Sequence, residues 1–264
     1  MLRELADSWL TDCPAPLRRL GHAYAATACA ARGRRCARAW APHRERTKAA
    51  IRAAVAASAC HRTVLVLGSG PLADVPLADL TGRFGRVVLA DAAQPPAARL
   101  AAWRARRGAV TLATLDLTGT AAALTDPAST APPPPGCAAF LDDPGIDLVL
   151  SVNLLSQLPL LPLAAALHRW PETDADAYGR AVIAAHLAHL RGFRCPVLLV
   201  TDIARTTLDR DGRVVEREDP LFGVSLPAGT VEDWDWELAP AGELPGGRTH
   251  RTRVRALRLD TAFP

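Results

Sequence analysis

Between Thr63 and Asp91 the chain reads TVLVLGSGPLADVPLADLTGRFGRVVLAD, and this stretch limits the possible folds more than any other. Two short apolar runs, Thr63–Leu67 and Arg86–Ala90, flank a glycine turn, Gly68-Ser69-Gly70, and a segment able to form a helix. Val- and Leu-rich runs of this length, bounded by glycine, are the pattern of strands covered on both faces. Glycine in the turn lets the backbone pass where a side chain would collide with a ligand. The second run closes on Asp91, an acid placed to accept hydrogen bonds from a ribose. Strand, glycine turn, helix and acid-terminated strand form half of a nucleotide-binding sheet and point to an adenosine-containing ligand.

A chain of 264 residues, 49% of them hydrophobic, can bury a full core as one large domain or as a domain with an appendage, and its composition argues against disorder. The net charge of +4 rests on arginine, Lys48 being the only lysine. With the abundant Ala and Pro, this reads as a GC-rich coding sequence and not as phosphate recognition. The opening MLRELADSWL carries acids and no long apolar core, so no secretory signal is expected. The most apolar segment, Ile146–Leu167, is interrupted by Asp147, Asn153, Pro159 and Pro162, so no membrane span is expected. Six cysteines form no CxxC pair and no zinc spacing, which suits free thiols in the cytoplasm.

Residues 1–60 read as a helical extension or lid, with helices through Leu17–Ala31 and Thr47–Ala59 and breaks at Gly33 and Pro42. The segment is rich in arginine. A basic helical segment can meet RNA or an acidic partner, but aromatics are few and the charges do not form one stripe. A solvated face or a lid is the plainer reading. Within it, Trp40–Lys48 stands where a helix can fold back over the ligand, which makes His43 and Arg46 candidate contacts; a surface histidine is the plain alternative.

Downstream, a helix is expected over Gln94–Arg107 and a third strand over Ala109–Leu115, followed at once by Asp116. Asp126–Gly136, DPASTAPPPPG, is too stiff for a sheet and reads as an exposed loop. Ile146–Val152 is a fourth strand leading into Asn153; Pro162–His168 and Asp174–Leu190 are helices, the second capped by Thr173 or Asp174. Pro196–Val200 is a fifth strand leading into Asp202, itself either a site acid or the cap of a turn over Ala204–Thr207. Thr230–Leu238 and His250–Leu259 alternate apolar and polar residues around a Gly- and Pro-rich connection and read as an antiparallel hairpin. Trp234 and Trp236 share one face of it, where they can wall an acceptor pocket or pack a helix on the sheet. His186 and His189 are one turn apart on a helix but have no third ligand at usable spacing, so surface histidines are expected there.

Five strands alternating with helices make a doubly wound parallel sheet, and the final hairpin departs from a dinucleotide-binding fold. In this layout, in Gly68-Ser69-Gly70, Asp91, Asp116 and Ile146–Asn153, residues 60–260 resemble the class I S-adenosylmethionine-dependent methyltransferases. The resemblance implies an α/β, mostly parallel seven-stranded sheet whose last strand is antiparallel, occupying 61–264. It implies a cofactor, S-adenosylmethionine, with Gly68, Ser69 and Gly70 under its methionine and ribose. Asp91 and Ala92 would hold the ribose, Asp116 the adenine amino group, and Leu117 would offer its backbone amide. Asn153 would line the cleft between cofactor and acceptor. The implied reaction is in-line methyl transfer to a small-molecule or peptide acceptor, with Asn153, Gln157 and Asp202 as the polar groups at the strand ends. Two positions depart from the family: Val66 stands where an acid is common, and Leu72 replaces the third glycine. A relative that binds the cofactor without turnover therefore remains an alternative. So does a nicotinamide or flavin oxidoreductase, since Gly68–Ala73 fits the dinucleotide fingerprint, although Asp74 as cap and Pro76 as first helical residue would start the helix late for a pyrophosphate.

Overall fold

The computed structural model describes residues 2–105 and 109–259. Four helices come first: α1 (Leu2–Leu10), α2 (Ala15–Arg19), α3 (His22–Arg35) and α4 (Ala37–Ala57). The break falls at Cys36 and not at Gly33 or Pro42. Gly33 stays helical because its missing side chain admits a neighbour: a Cβ there would lie 2.8 Å from the Arg44 guanidinium and 3.2 Å from the Trp40 ring. Then follow β1 (Thr63–Leu67), α5 (Leu77–Arg83), β2 (Arg86–Asp91), α6 (Pro96–Arg104), β3 (Val110–Thr114) and α7 (Ala121–Thr125). The helix expected over Gln94–Arg107 is shorter, α6 ending at Arg104 with Ala105 extended; residues 106–107 lie outside the described residues. The chain continues with β4 (Ile146–Val152), α8 (Leu160–Arg169), α9 (Ala175–Arg191), β5 (Val197–Leu208), β6 (Val214–Glu218), β7 (Thr230–Ala239) and β8 (Thr249–Leu259). Asp174 caps α9, its carboxylate accepting the Ala177 amide at 2.9 Å.

The strands form one sheet in the order β3-β2-β1-β4-β5-β8-β7, with β6 paired to the far half of β5. β1 to β5 run parallel, β8 lies antiparallel to both of its neighbours, and β6 is antiparallel to β5. The sheet thus has eight strands where seven were expected. Instead of turning after Asp202, β5 runs on to Leu208 and returns as β6, so no capped turn forms over Ala204–Thr207.

Period-two alternation divides the core. Leu65, Leu67, Val88, Val149 and Leu199 face α8 and α9, with Ile183 and Leu190 buried among them. Val64, Val66, Leu148, Leu150 and Val200 face the other way, onto Ile51, Ala54 and Val55 of α4 and onto Trp234 and Trp236 of β7. Helices α2 and α3 do not cover a sheet face. Leu17 and Ala23 pack with Ala93 and Ala121, just past the carboxyl ends of β2 and β3. A backbone bridge, Asp12 to Gln94, ties this cap to the end of β2.

His186 and His189 are core residues, 1% and 2% exposed, and not surface ones. His186 Nε2 lies 3.0 Å from Ser151 Oγ and His189 Nε2 bonds the Ala139 carbonyl at 2.8 Å. Among the described residues no cluster of His, Cys, Asp and Glu can hold a metal, and no helix is long and apolar enough to cross a membrane. Part of the charge of the basic helices is paired within the chain: Arg35 faces Glu243, Arg46 faces Glu232 and Arg52 faces Asp79.

Candidate functional site

The carboxyl ends of β1, β2, β4 and β5 meet at the glycine turn. Gly68 has φ +77, and a Cβ there would sit 2.7 Å from Leu154 Cβ and 2.9 Å from the Val152 carbonyl, so the turn is pressed against the end of β4. Gly70, at φ +50, would meet nothing within 4 Å among the described residues, so the space above it is open. Asp91 closes the turn from the side, Oδ2 accepting the Gly70 amide and Oδ1 the Ala92 amide, both at 2.7 Å. Burial pushes its carboxyl up while the Gly70, Ala92 and Ala93 amides pull it down. Ser69 is buried, and its Oγ has no hydrogen-bond partner among the described residues. Helix α5 starts at Leu77, with Pro76 as its cap residue and no side-chain cap, so no helix opens directly out of the glycine turn. That geometry removes the anion cradle a dinucleotide pyrophosphate needs.

Asp74, freed from capping, turns instead to the end of β4. Asn153 takes a left-handed backbone conformation, φ +50, and its Nδ2 donates to Asp74 Oδ2 at 3.0 Å. The same Nδ2 lies 3.1 Å from His43 Nε2. On the other side of that ring Trp234 Nε1 donates to Nδ1 at 3.1 Å, and Trp236 stacks on it at 3.9 Å between centroids. His43 is 1% exposed, and burial, with Arg44 beside it, holds its pKa down at about 3, so the ring is neutral. With Nδ1 filled, its proton sits on Nε2, facing the Asn153 amide. Charged Asp74 and the His43 N–H therefore compete for the two ends of one amide. With the nitrogen turned to Asp74, Asn153 Oδ1 is left buried and without a partner among the described residues.

Beside this network, α3 and the ends of β4 and β5 enclose a cavity of about 570 Å³, lined by Tyr24, Cys29, Trp40, Gln157, Asp202 and Trp236 among others. Gln157 of this lining donates to the Asn153 carbonyl, which ties the cavity wall to the end of β4. Asp202 is 4% exposed and accepts from Arg205 Nη2 at 3.1 Å. Burial pushes its carboxyl up, against the pull of Arg205. A bulge between Asp202 and Ala204 breaks the register with β8 at this point, a device that re-aims side chains at the rim of a sheet.

No family model and no curated protein sequence matches the chain. Solved structures do. One is a complex between the Haloferax volcanii Trm112 methyltransferase activator and a methyltransferase, at 14% identity and a TM-score of 0.30, over 65% of this chain but only 56% of that one. A second is the Burkholderia thailandensis 1,6-didemethyltoxoflavin N1-methyltransferase with S-adenosylhomocysteine, at 16% identity, 80% and 79% coverage and a TM-score of 0.35. A third is the glycopeptide N-methyltransferase MtfA with S-adenosylmethionine, at 18% identity, 78% and 75% coverage and 0.33. Such distant likeness leaves the decision to topology. Once β6 is set aside as a local excursion of β5, seven strands remain, and the last of them is the antiparallel one. The fold is a mixed α/β one, a mostly parallel sheet with antiparallel C-terminal strands, the layout that the sequence resemblance implied.

Within that fold the residues anticipated from sequence do not all converge. Gly68, Ser69, Gly70, Asp91, Ala92 and Asn153 share one mouth, and His43 and Trp234 stand behind Asn153 as its support, away from the open space. Asp116 serves its own loop: Oδ1 accepts the Thr118 amide and hydroxyl, and Oδ2 accepts the Ala121 amide at 2.7 Å. The Leu117 side chain is core. Arg46 points outward to Glu232. Gln157 lines the cavity, tied by Nε2 to the Asn153 carbonyl at 2.7 Å. Trp236 lines the cavity, one of the two readings given for the tryptophan pair, while three members were not anticipated: Asp74, Arg44 and Trp40. For α4 a signal existed, because Trp40, His43, Arg44 and Thr47 fall at helical spacing on one stripe. For Asp74 there was none, its partner lying 79 residues away.

Proposed function

We propose that the chain is an S-adenosylmethionine-dependent methyltransferase, with the nucleoside at Gly68–Gly70 and Asp91 and a small-molecule or peptide acceptor in the adjoining cavity. The observation that carries this is the closed glycine turn with open space above Gly70, at the sheet end where Gln157, bonded to the Asn153 carbonyl, lines a cavity of about 570 Å³ whose wall holds a buried carboxylate. The residues fit a polar ligand, since Ser69 Oγ, Asp74 Oδ1 and Asn153 Oδ1 are buried there without partners among the described residues. Asp91 would accept the ribose hydroxyls on the lone pairs its two amides leave free. Asp116 Oδ2, with a single amide partner, is the oxygen left for the adenine amino group, beside the Leu117 amide.

The bound cofactor supplies an activated methyl group. The chain supplies alignment, with Gln157 and the Trp40 and Trp236 walls fixing the acceptor in the cavity. Helices α2 and α3 act as the lid that limits water. Asp202 is the group to take the acceptor's proton, because burial raises its affinity for a proton, with Arg205 pulling the other way. Calorimetric titration with S-adenosylhomocysteine tests the reading, with Asp91→Ala as control and NAD in parallel. Binding that is lost in Asp91→Ala, with no response to NAD, is the expected outcome. Failure of the wild-type protein to bind S-adenosylhomocysteine refutes it. Binding without methyl transfer to any acceptor would favour the cofactor-binding alternative.

A further inference from the structure

Position 66, where the related enzymes commonly carry an acid, is a valine buried to 0% in the core face of β1, and no carboxylate can act from there. The structure brings one to the turn by another route. Asp74 Oδ2 is held by Asn153, leaving Oδ1 buried and without a hydrogen bond among the described residues. Arg44 reaches the same point from α4. Its guanidinium is fixed by Nη2 donating to the Gly33 carbonyl at 3.0 Å and by the Trp40 ring 5.4 Å below it. Its Nε–H, 3.7 Å from Asp74 Oδ1, is likewise buried and unpartnered among the described residues. Ser69 Oγ and Asn153 Oδ1 complete the set.

Buried polar groups in native proteins are nearly always hydrogen-bonded to protein, water or ligand, so these four groups, Asp74 Oδ1 and Arg44 Nε–H facing each other at 3.7 Å among them, are free to bond a polar ligand. Their chemistry is divided. Asp74 and Asn153 offer oxygen acceptors, while Arg44 and the Ser69 hydroxyl offer donors. A ligand that answers both carries a cation and an anion a few ångströms apart, which is the head of an α-amino acid. We infer that Asp74 and Arg44 bind the amino-acid end of the cofactor, Asp74 taking its ammonium and Arg44 its carboxylate. This rests on the methyltransferase reading, and it makes Asp74 the substitute for the acid that position 66 lacks. Both residues lie outside the glycine turn, so the nucleoside and the amino-acid end are held by separable groups.

That separation gives the test. 5′-Methylthioadenosine shares the nucleoside and thioether of S-adenosylhomocysteine but has no amino-acid head. Calorimetry on the wild-type protein should find it bound at least about tenfold more weakly, the scale of losing charge-assisted hydrogen bonds. Asp74→Asn and Arg44→Gln should weaken S-adenosylhomocysteine by about 10- to 100-fold while leaving 5′-methylthioadenosine unchanged. Equal wild-type affinities for the two ligands overturn the assignment, without the need for any variant. So does a parallel loss of both ligands in the variants, which would mean that Asp74 and Arg44 only shape the turn. If the wild-type protein binds neither ligand, the methyltransferase reading itself fails. Binding of S-adenosylhomocysteine that ignores both substitutions leaves that reading standing and removes only this one.

Discussion

Acidification from pH 7 to pH 5 is expected to cost this protein stability through two histidines that are far from the surface. His43 and His186 are each 1% exposed, and burial, assisted by Arg44 and by His189 respectively, pushes each pKa down to about 3. In the unfolded chain both titrate at about 6.5. Between these values the unfolded state binds a proton that the native state refuses, so stability falls with pH over that window. From pH 7 to pH 5 the loss is about 2 kcal/mol per histidine, or about 4 kcal/mol for the pair. Asp74, Asp91 and Asp202 work in the opposite sense, since burial raises each of their carboxyls and protonation in acid relieves them. A difference measurement isolates the histidine. His186→Gln keeps a polar group near Ser151 but cannot take up the proton on unfolding. Urea unfolding of both proteins at pH 7 and pH 5 should show the wild-type advantage shrinking by about 2 kcal/mol. If the two proteins lose stability in parallel, His186 is not a neutral core residue and the linkage argument is wrong.

Gly68→Ala should destabilise by roughly 1–3 kcal/mol, because the new methyl meets Leu154 and the Val152 carbonyl at a positive φ; unchanged urea unfolding would refute the close approach of the turn to β4. Arg169→Ala should free the proline-rich loop after α7, since this side chain donates to the carbonyls of Leu124, Pro127 and Ser129. Amide exchange over residues 126–131 is the readout, and protection equal to the wild type would mean that the prolines alone hold the loop.

The parallel strands were legible because burial on both faces leaves few polar residues to blur an apolar run: TVLVL, RVVLA and IDLVLSV announce themselves. The second half of β5, TDIARTTL, hid because it projects beyond the parallel sheet and buries polar residues, Thr201, Asp202 and Thr207, where an apolar run would have shown, so β6 went unseen with it. Asp174 was found by its local capping rule, and the same rule misread Asp74, whose carboxylate is used by a residue brought near only by the fold. The two histidines of α9 were misplaced for a related reason. Their one-turn spacing is visible in sequence, but the Ser151 hydroxyl and Ala139 carbonyl that make burial tolerable are supplied by the tertiary structure.

The boundary drawn at residue 60 deserves its own experiment, because α4 belongs to both sides of it. Toward its carboxyl end Ile51, Ala54 and Val55 pack on Val64, Val66, Leu148 and Leu150, while the same stripe, continued to Trp40 and His43, becomes the wall of the site. Burying Trp40, Ile51 and Val55 contributes about 1.5–3 kcal/mol each, together comparable with the whole stability of a typical domain, about 5–15 kcal/mol. Helices α1 to α3 cover no sheet face and meet the rim through the small cluster around Leu17 and Ala23 and through the Arg35–Glu243 pair. A fragment of residues 36–264 should therefore unfold cooperatively in urea, whereas 61–264 should lack a cooperative transition and aggregate through the uncovered face. Cooperative unfolding of 61–264 at the wild-type midpoint would show that α4 is an appendage after all, and that the residues it brings to the site are held there by something other than the core.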